Sequence, residues 1–322
     1  MDHKNSIAAS VTATIGNTPL VELSRITADI DGRILLKLEY MNPGHSKKDR
    51  AALRVIEEAE ASGDLHPGQT IIELTSGNMG TGLAIVCAVR GYSFVAVMSK
   101  GNSPERATMM RALGAEVILI DQARGSKRGE VSGEDLQLVE DAAIQLTRER
   151  MAFRADQFKL DGNANAHYFG TGAEIWHQSA GSVTAFCDFA GSGGTFAGCA
   201  RFLKEQDASI QCFVVEPKGA ATLSGESVTC AEHPIQGGGY SMADLTQLKG
   251  VEPDGFLTVS SRDAIDCTQR LAREEGIFAG PSSGANLAAA ISLLEGPMPG
   301  ATVAILACDS GLKYLSTGIL NI

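Results

Sequence analysis

No extended basic run interrupts this 322-residue sequence, whose formal charge is −11. A chain with that balance repels phosphate backbones and anionic lipid surfaces, so nucleic acid and membrane partners are disfavoured. Long apolar stretches are missing as well, none approaching the ~18 residues a bilayer span needs. The first twenty residues hold no cationic head followed by an apolar core, which argues against a secretory leader and points to the cytoplasm. The seven cysteines, Cys87, Cys187, Cys199, Cys212, Cys230, Cys267 and Cys308, are scattered, odd in number and without a C-x-x-C pair. They read as reduced, mostly buried thiols, and no metal site is expected. There is no internal repeat or low-complexity tract, and 44% hydrophobic content excludes a disordered chain.

What is present is enough chain for two domains and a sizeable core. Apolar runs of strand length recur at 34–38, 70–74, 94–98, 117–120, 183–189, 212–215 and 303–307. Nearly all are continuous, as strands covered on both faces require. Helical-length segments lie between many of them, at 49–62, 79–90, 104–113, 134–149, 164–179, 195–205, 261–275 and 284–295, which predicts an α/β layer architecture. Ser103-Pro104 fits an N-cap followed by proline at the first helical position, and Gly63, Gly91, Gly114 and Gly276 sit where helices should stop. The polar, glycine-rich stretch 122–134 reads as a surface loop.

Glycine gathers at 75–82, 191–198 and 280–284, where strands give way to helices, and open α/β sheets bind ligands at those ends. Gly191-Ser192-Gly193-Gly194-Thr195 follows the run VTAFCDFA and opens a helix. Its unobstructed N–H groups, the helix dipole and two hydroxyls can form a phosphate cup. The same residues also suit a turn that packs helix against strand. They match neither a Walker sequence nor G-x-G-x-x-G with its distant acidic residue, which weighs against a nicotinamide-dependent dehydrogenase. Thr75-Ser76-Gly77-Asn78-Met79-Gly80 follows the strand IIEL and presents hydroxyl, amide and N–H donors together, either for a carboxylate or as an ordinary helix cap. Lys48 stands at a helix start beside a second cation, Lys47. That setting disfavours its charged form and suits attack on an aldehyde.

Six segments in order, IGNTPLVEL, NPGHSKKDR, TSGNMGTGLA, the Gly191 loop leading to RFLK, EGIFAGPSSGANLAAA and DSGLKYLST, resemble the cysteine synthase and cystathionine β-synthase family. These are fold-type II enzymes of pyridoxal 5'-phosphate (PLP), and the resemblance covers essentially the whole chain. It implies a two-domain α/β fold like that of the tryptophan synthase β-subunit, each domain a mostly parallel sheet flanked by helices. The larger domain would comprise 1–41 plus 153–322 and the smaller 42–152, with PLP in the cleft between them and a homodimer as the assembly.

Carried over position by position, the resemblance makes Lys48 the Schiff-base lysine and Asn78 the contact to the cofactor's 3' oxygen. Gly191, Ser192, Gly193, Gly194 and Thr195 would hold the phosphate, and Ser282 would face the pyridine nitrogen. A hydroxyl there, rather than a carboxylate, leaves that nitrogen largely unprotonated and favours elimination at the β-carbon. Thr75, Ser76, Gly77 and Gln157 would bind the substrate carboxylate, with the 75–80 loop closing to exclude water. The implied reaction is β-replacement on a β-substituted L-amino acid through an aminoacrylate, with Lys48 moving the α-proton.

Three departures bear on the substrate. Met79 stands where the family has threonine, Gln236 to Met242, with Gly238 and Tyr240, replaces its G-I-G stretch, and Leu312-Lys313 replaces Glu-Arg. Met79, Gly238 and Tyr240 are therefore counted with the substrate-binding residues, and a substrate other than O-acetylserine is compatible with them. A C-terminal regulatory extension and a haem-binding segment are not expected. A β-eliminating lyase is the second reading, and a non-catalytic PLP-fold binding module, against which Lys48 and T-S-G-N both argue, is the third.

Overall fold

The computed structural model describes residues 7–126, 131–231 and 233–319. Strands β1 (Leu20–Glu22) and β2 (Arg33–Lys37) lead into helix α1 (Lys48–Ser62). Then β3 (Ile71–Leu74), α2 (Asn78–Arg90), β4 (Phe94–Ser99), α3 (Pro104–Ala112), β5 (Glu116–Ile120) and α4 (Gly133–Glu149) alternate regularly up to β6 (Phe153–Arg154). A second alternation follows, with α5 (Gly162–Ala166), α6 (Ala173–Gln178), β7 (Ala185–Phe189), α7 (Gly194–Gln206) and β8 (Gln211–Pro217). It closes with β9 (Gly255–Val259), α8 (Ser261–Glu275), α9 (Pro281–Leu294) and β10 (Thr302–Leu306).

These strands form two sheets, one ordered β1-β2-β10-β7-β8-β9 and the other β5-β4-β3-β6. Every pairing is parallel except that of β1 with β2. The continuous apolar runs are explained by burial on both faces. In the larger sheet Ile34 and Leu36 enter one core and Leu35 the opposite one; in the smaller sheet Ile71 and Ile72 divide in the same way. No helix among the described residues is long and apolar enough to cross a membrane.

The helix stops fall where glycine predicted them. Gly63, Gly91 and Gly276 are left-handed C-caps, and Gly114 lies just past α3 at φ +92°. Ser103 does precede Pro104 at the start of α3, but its hydroxyl makes no cap and instead donates to the Lys313 carbonyl at 3.0 Å. The single helix expected over 164–179 is broken, because a π-helical segment, His167–Gly172, separates α5 from α6. This is where the chain presses on α7: a side-chain carbon at Gly198 would sit 2.2 Å from the Ala164 carbonyl. Within the surface loop expected over 122–134, residues 127–130 lie outside the described residues, while Gly133 and Glu134 already belong to α4. Strands β1, β6 and β9 have no counterpart among the apolar runs. β9 lies at a sheet edge, where its residues alternate between half-buried and exposed and so give no continuous apolar signal.

Candidate active site

The ends of β3, β7 and β10, the start of α9 and the loop before α1 converge on one cleft. Lys48, Ser76, Asn78, Met79, Gln157, Gly191, Ser192, Gly193, Thr195, Tyr240 and Ser282 all line it. Thr75, Gly77, Gly194 and Gly238 lie in the same loops, beside lining neighbours, without lining the cleft themselves.

Lys48 opens α1, and its amine donates to the Ser192 hydroxyl at 3.0 Å. Burial, followed by the Lys47 charge, brings its pKa down to about 7, so a large share of the amine is uncharged near neutrality. The helix start is firmly set. Arg50 pairs with Glu39 at 2.7 Å and Glu174 at 2.6 Å, and the Gly44 N–H donates to the Asp49 carboxylate.

The cup at 190–195 is bare backbone by construction. Gly193 has φ +86°, a conformation that resists side chains, and a side-chain carbon at Gly194 would lie 2.4 Å from Asn163. α7 begins at Gly194, so the unpaired N–H groups of its first turn lie beside the cleft. Ser192 receives hydrogen bonds from both Lys48 and Asn163, the latter at 2.8 Å. Thr195 contacts His167 at 3.2 Å, and burial holds that imidazole well below its usual pKa, hence neutral. Backbone N–H groups lining the cleft, two hydroxyls, a helix start and a buried amine of lowered pKa together fit a phosphate ester carrying an aldehyde.

The 75–80 loop is tied by its own side chains. The Thr75 hydroxyl oxygen accepts the N–H groups of Gly77 and Gly80, both at 2.9 Å. Arg106, fully buried, donates to the Ser76 carbonyl at 2.7 Å and lies over the Tyr314 ring. Asn78 is held at both ends, its Nδ2 donating to Asp309 at 2.8 Å and its Oδ1 accepting from Lys313 at 2.8 Å. These partners fix the amide's orientation and leave its second N–H for another acceptor. Gln157 holds its side-chain amide toward the buried Glu73 at 3.3 Å. Met79 is both a cleft residue and part of the core beside Leu83 and Met110. Tyr240 reaches across to Ser76, hydroxyl to hydroxyl at 3.4 Å, and packs on Phe158.

Sequence reasoning had not singled out Asp188, Asp309 or Arg106. The Lys47 ammonium donates to both Asp188 oxygens, and Asp309 collects Asn78 and Tyr314. A charged residue inside an otherwise apolar strand, as in AFCDF, was the available signal for Asp188.

The model of the family described as pyridoxal-phosphate dependent enzyme matches residues 11–309. Cysteine synthase B of Salmonella typhimurium is 39% identical over 308 residues, covering 96% of this chain and 95% of that protein. The crystal structure of a cysteine synthase (OASS) from Entamoeba histolytica superposes with a TM-score of 0.91 at 34% identity, over all of this chain and 93% of the other. That of a hydrogen sulfide-producing enzyme from Fusobacterium nucleatum gives 0.87 at 38% identity, over 96% and 100%. By these matches over nearly its whole length, the chain belongs to the pyridoxal-phosphate dependent enzymes, has the cofactor of that family, and is of the cysteine synthase type.

Proposed function

We propose that the protein catalyses β-replacement on a β-substituted L-amino acid, O-acetylserine or O-phosphoserine being the candidate first substrates and sulfide or another nucleophile the second. The observation that carries this reading is the buried Lys48 amine, lowered to about 7 and 3.0 Å from a hydroxyl of the cup. Pyridoxal phosphate, when bound, supplies the electron sink that acidifies the α-proton and lets the β-substituent depart. Lys48 moves that proton, since its uncharged amine faces the cleft. Gly191 to Thr195 would hold the phosphate of that group, Asn78 would offer its remaining N–H to it, and Ser282 would face its ring nitrogen. Ser76, the backbone around Gly77, Thr75 and Gln157 take the substrate carboxylate. Met79, Gly238 and Tyr240 shape the space around the β-substituent.

The same reading assigns residues 1–41 and 153–322 to one domain and 42–152 to the other, with β6 reaching from the first to the edge of the smaller sheet. It gives a homodimer working in the cytoplasm. A second reading, β-elimination with water intercepting the intermediate, is favoured by the likeness to the hydrogen sulfide-producing enzyme.

The test is absorbance from 300 to 550 nm of wild type and Lys48→Ala, with O-acetylserine, O-phosphoserine, cysteine and serine added separately, followed by product analysis with sulfide. A visible cofactor band lost in the variant, and a new β-substituted amino acid as product, support replacement. Keto acid and ammonia as the products transfer the assignment to the lyase. No cofactor band after reconstitution removes both.

A further inference from the structure

Lys47 and Asp188 form an ion pair in the cleft that the reaction as assigned does not use. The Lys47 ammonium donates to both Asp188 oxygens at 2.8 Å, Asp188 is 1% exposed, and both side chains line the cleft with Lys48. Asp188 is further held by the Asn286 amide at 3.3 Å and faces the Cys308 thiol at 3.8 Å. The Lys47 backbone N–H is fixed to the Cys308 carbonyl at 2.9 Å. Stability is a poor reason to keep such a pair, because a well-packed apolar pair of similar volume commonly does as well or better. Proximity to Lys48 is a better one.

Among the groups that act on Lys48, the Lys47 charge opposes its protonation more than the Asp188 charge favours it. The remaining groups facing Lys48 are Cys308 after β10, Glu73 on β3 and His167 in the π-helical segment. Burial pushes the Cys308 thiol up to about 12 and suppresses the His167 imidazolium, so neither is charged near neutrality. Glu73 is bound to Arg154 at 2.9 Å, which offsets its field.

We propose that Lys47 and Asp188 are positioning residues, a fixed buried dipole whose positive end keeps the Lys48 amine uncharged and whose negative end holds that cation in place. Lys48 is thereby ready to capture the cofactor aldehyde and to accept the α-proton without first losing a proton of its own. The inference rests on Lys48 being the cofactor lysine, but not on which amino acid or nucleophile is used.

The experiment measures reductive methylation of Lys48 in the full-length chain freed of cofactor, from pH 5.5 to 9.5, by peptide mass spectrometry. The pH dependence of kcat and of KM is followed in the reconstituted enzyme. Wild type should show a labelling midpoint near 7. Lys47→Met should raise it by about one unit or more, a roughly tenfold loss of labelling at neutral pH, with the kcat profile shifting alongside and KM moving little. Asp188→Asn, leaving the cation without its carboxylate, should lower the midpoint. If either single variant fails to fold, the double variant Lys47→Met/Asp188→Leu, which leaves no unpaired charge, decides the matter and should also shift upward. A folded Lys47→Met or double variant with the wild-type midpoint overturns the proposal, as does a wild-type Lys48 that titrates like a surface lysine. Failure of the β-replacement reading would appear instead in the products, with the labelling shift intact.

Discussion

The two glycine-rich turns of the cleft do the same topological job, each turning a buried parallel strand into a helix, yet they are built differently. The 191–195 turn lines the cleft and draws its rigidity from glycine geometry and from packing against Asn163 and Leu248. The 75–80 turn uses its own side chain, Thr75, to close on itself, and leans on Arg106 from α3. The first suits a ligand that stays, the second one that comes and goes.

Substitutions can break this contrast. Largest is Lys48→Ala, which removes the amine that reaches Ser192 and should cost about 10³-fold or more in kcat with the fold retained by circular dichroism. Next, Gly193→Ala imposes a side chain at φ +86° and 3.0 Å from Leu248. It should lower stability by about 1–2 kcal/mol and loosen cofactor retention, measured by dialysis and absorbance, more than it alters KM. Thr75→Val leaves the Gly77 and Gly80 N–H groups without their acceptor. Its expected cost is about 1–3 kcal/mol, seen as a raised KM for the amino acid with cofactor retention unchanged. Smallest is Tyr240→Phe, which removes a long 3.4 Å contact to Ser76 and should raise KM about threefold. Loss of cofactor from Thr75→Val, or a pure KM effect from Gly193→Ala, would erase the distinction between a resident and a transient ligand site.

pH offers a further separation. Since the Lys48 pKa is lowered to about 7, the uncharged amine accumulates as pH rises through 7. Cofactor capture by the stripped protein should therefore accelerate from pH 6 to 8 and level off. A lysine of ordinary pKa would keep accelerating toward pH 10. Stopped-flow absorbance distinguishes the two.

The sequence discloses these features unequally. Continuous apolar runs located the doubly covered strands, and left-handed glycines located the helix ends, because both signals are local. Strands β1, β6 and β9 escaped because they are short or half-buried at sheet edges, and the break at 167–172 escaped because it answers to α7, a contact remote in sequence. Within the cleft, Lys48 and the cup were legible from residue type and order. The network around Asn78 was not: Asp309 and Lys313 lie more than two hundred residues away, and only the folded chain shows the departure at Lys313 to be a buried amine holding the amide. Lys47 was visible as a neighbouring cation, whereas its partner Asp188, far along the chain on β7, was not.

The loop that carries Lys48 is stitched to the segment following β10. Lys313 donates to the Gly44 carbonyl at 2.7 Å across 269 residues, and Ser310 to the His45 carbonyl at 3.1 Å. In synthesis the brace therefore emerges 269 residues after Gly44, the residue whose carbonyl it holds. Domains tend to fold as their residues emerge, whereas the segment before α1 gains these two hydrogen bonds only after the far segment has been made.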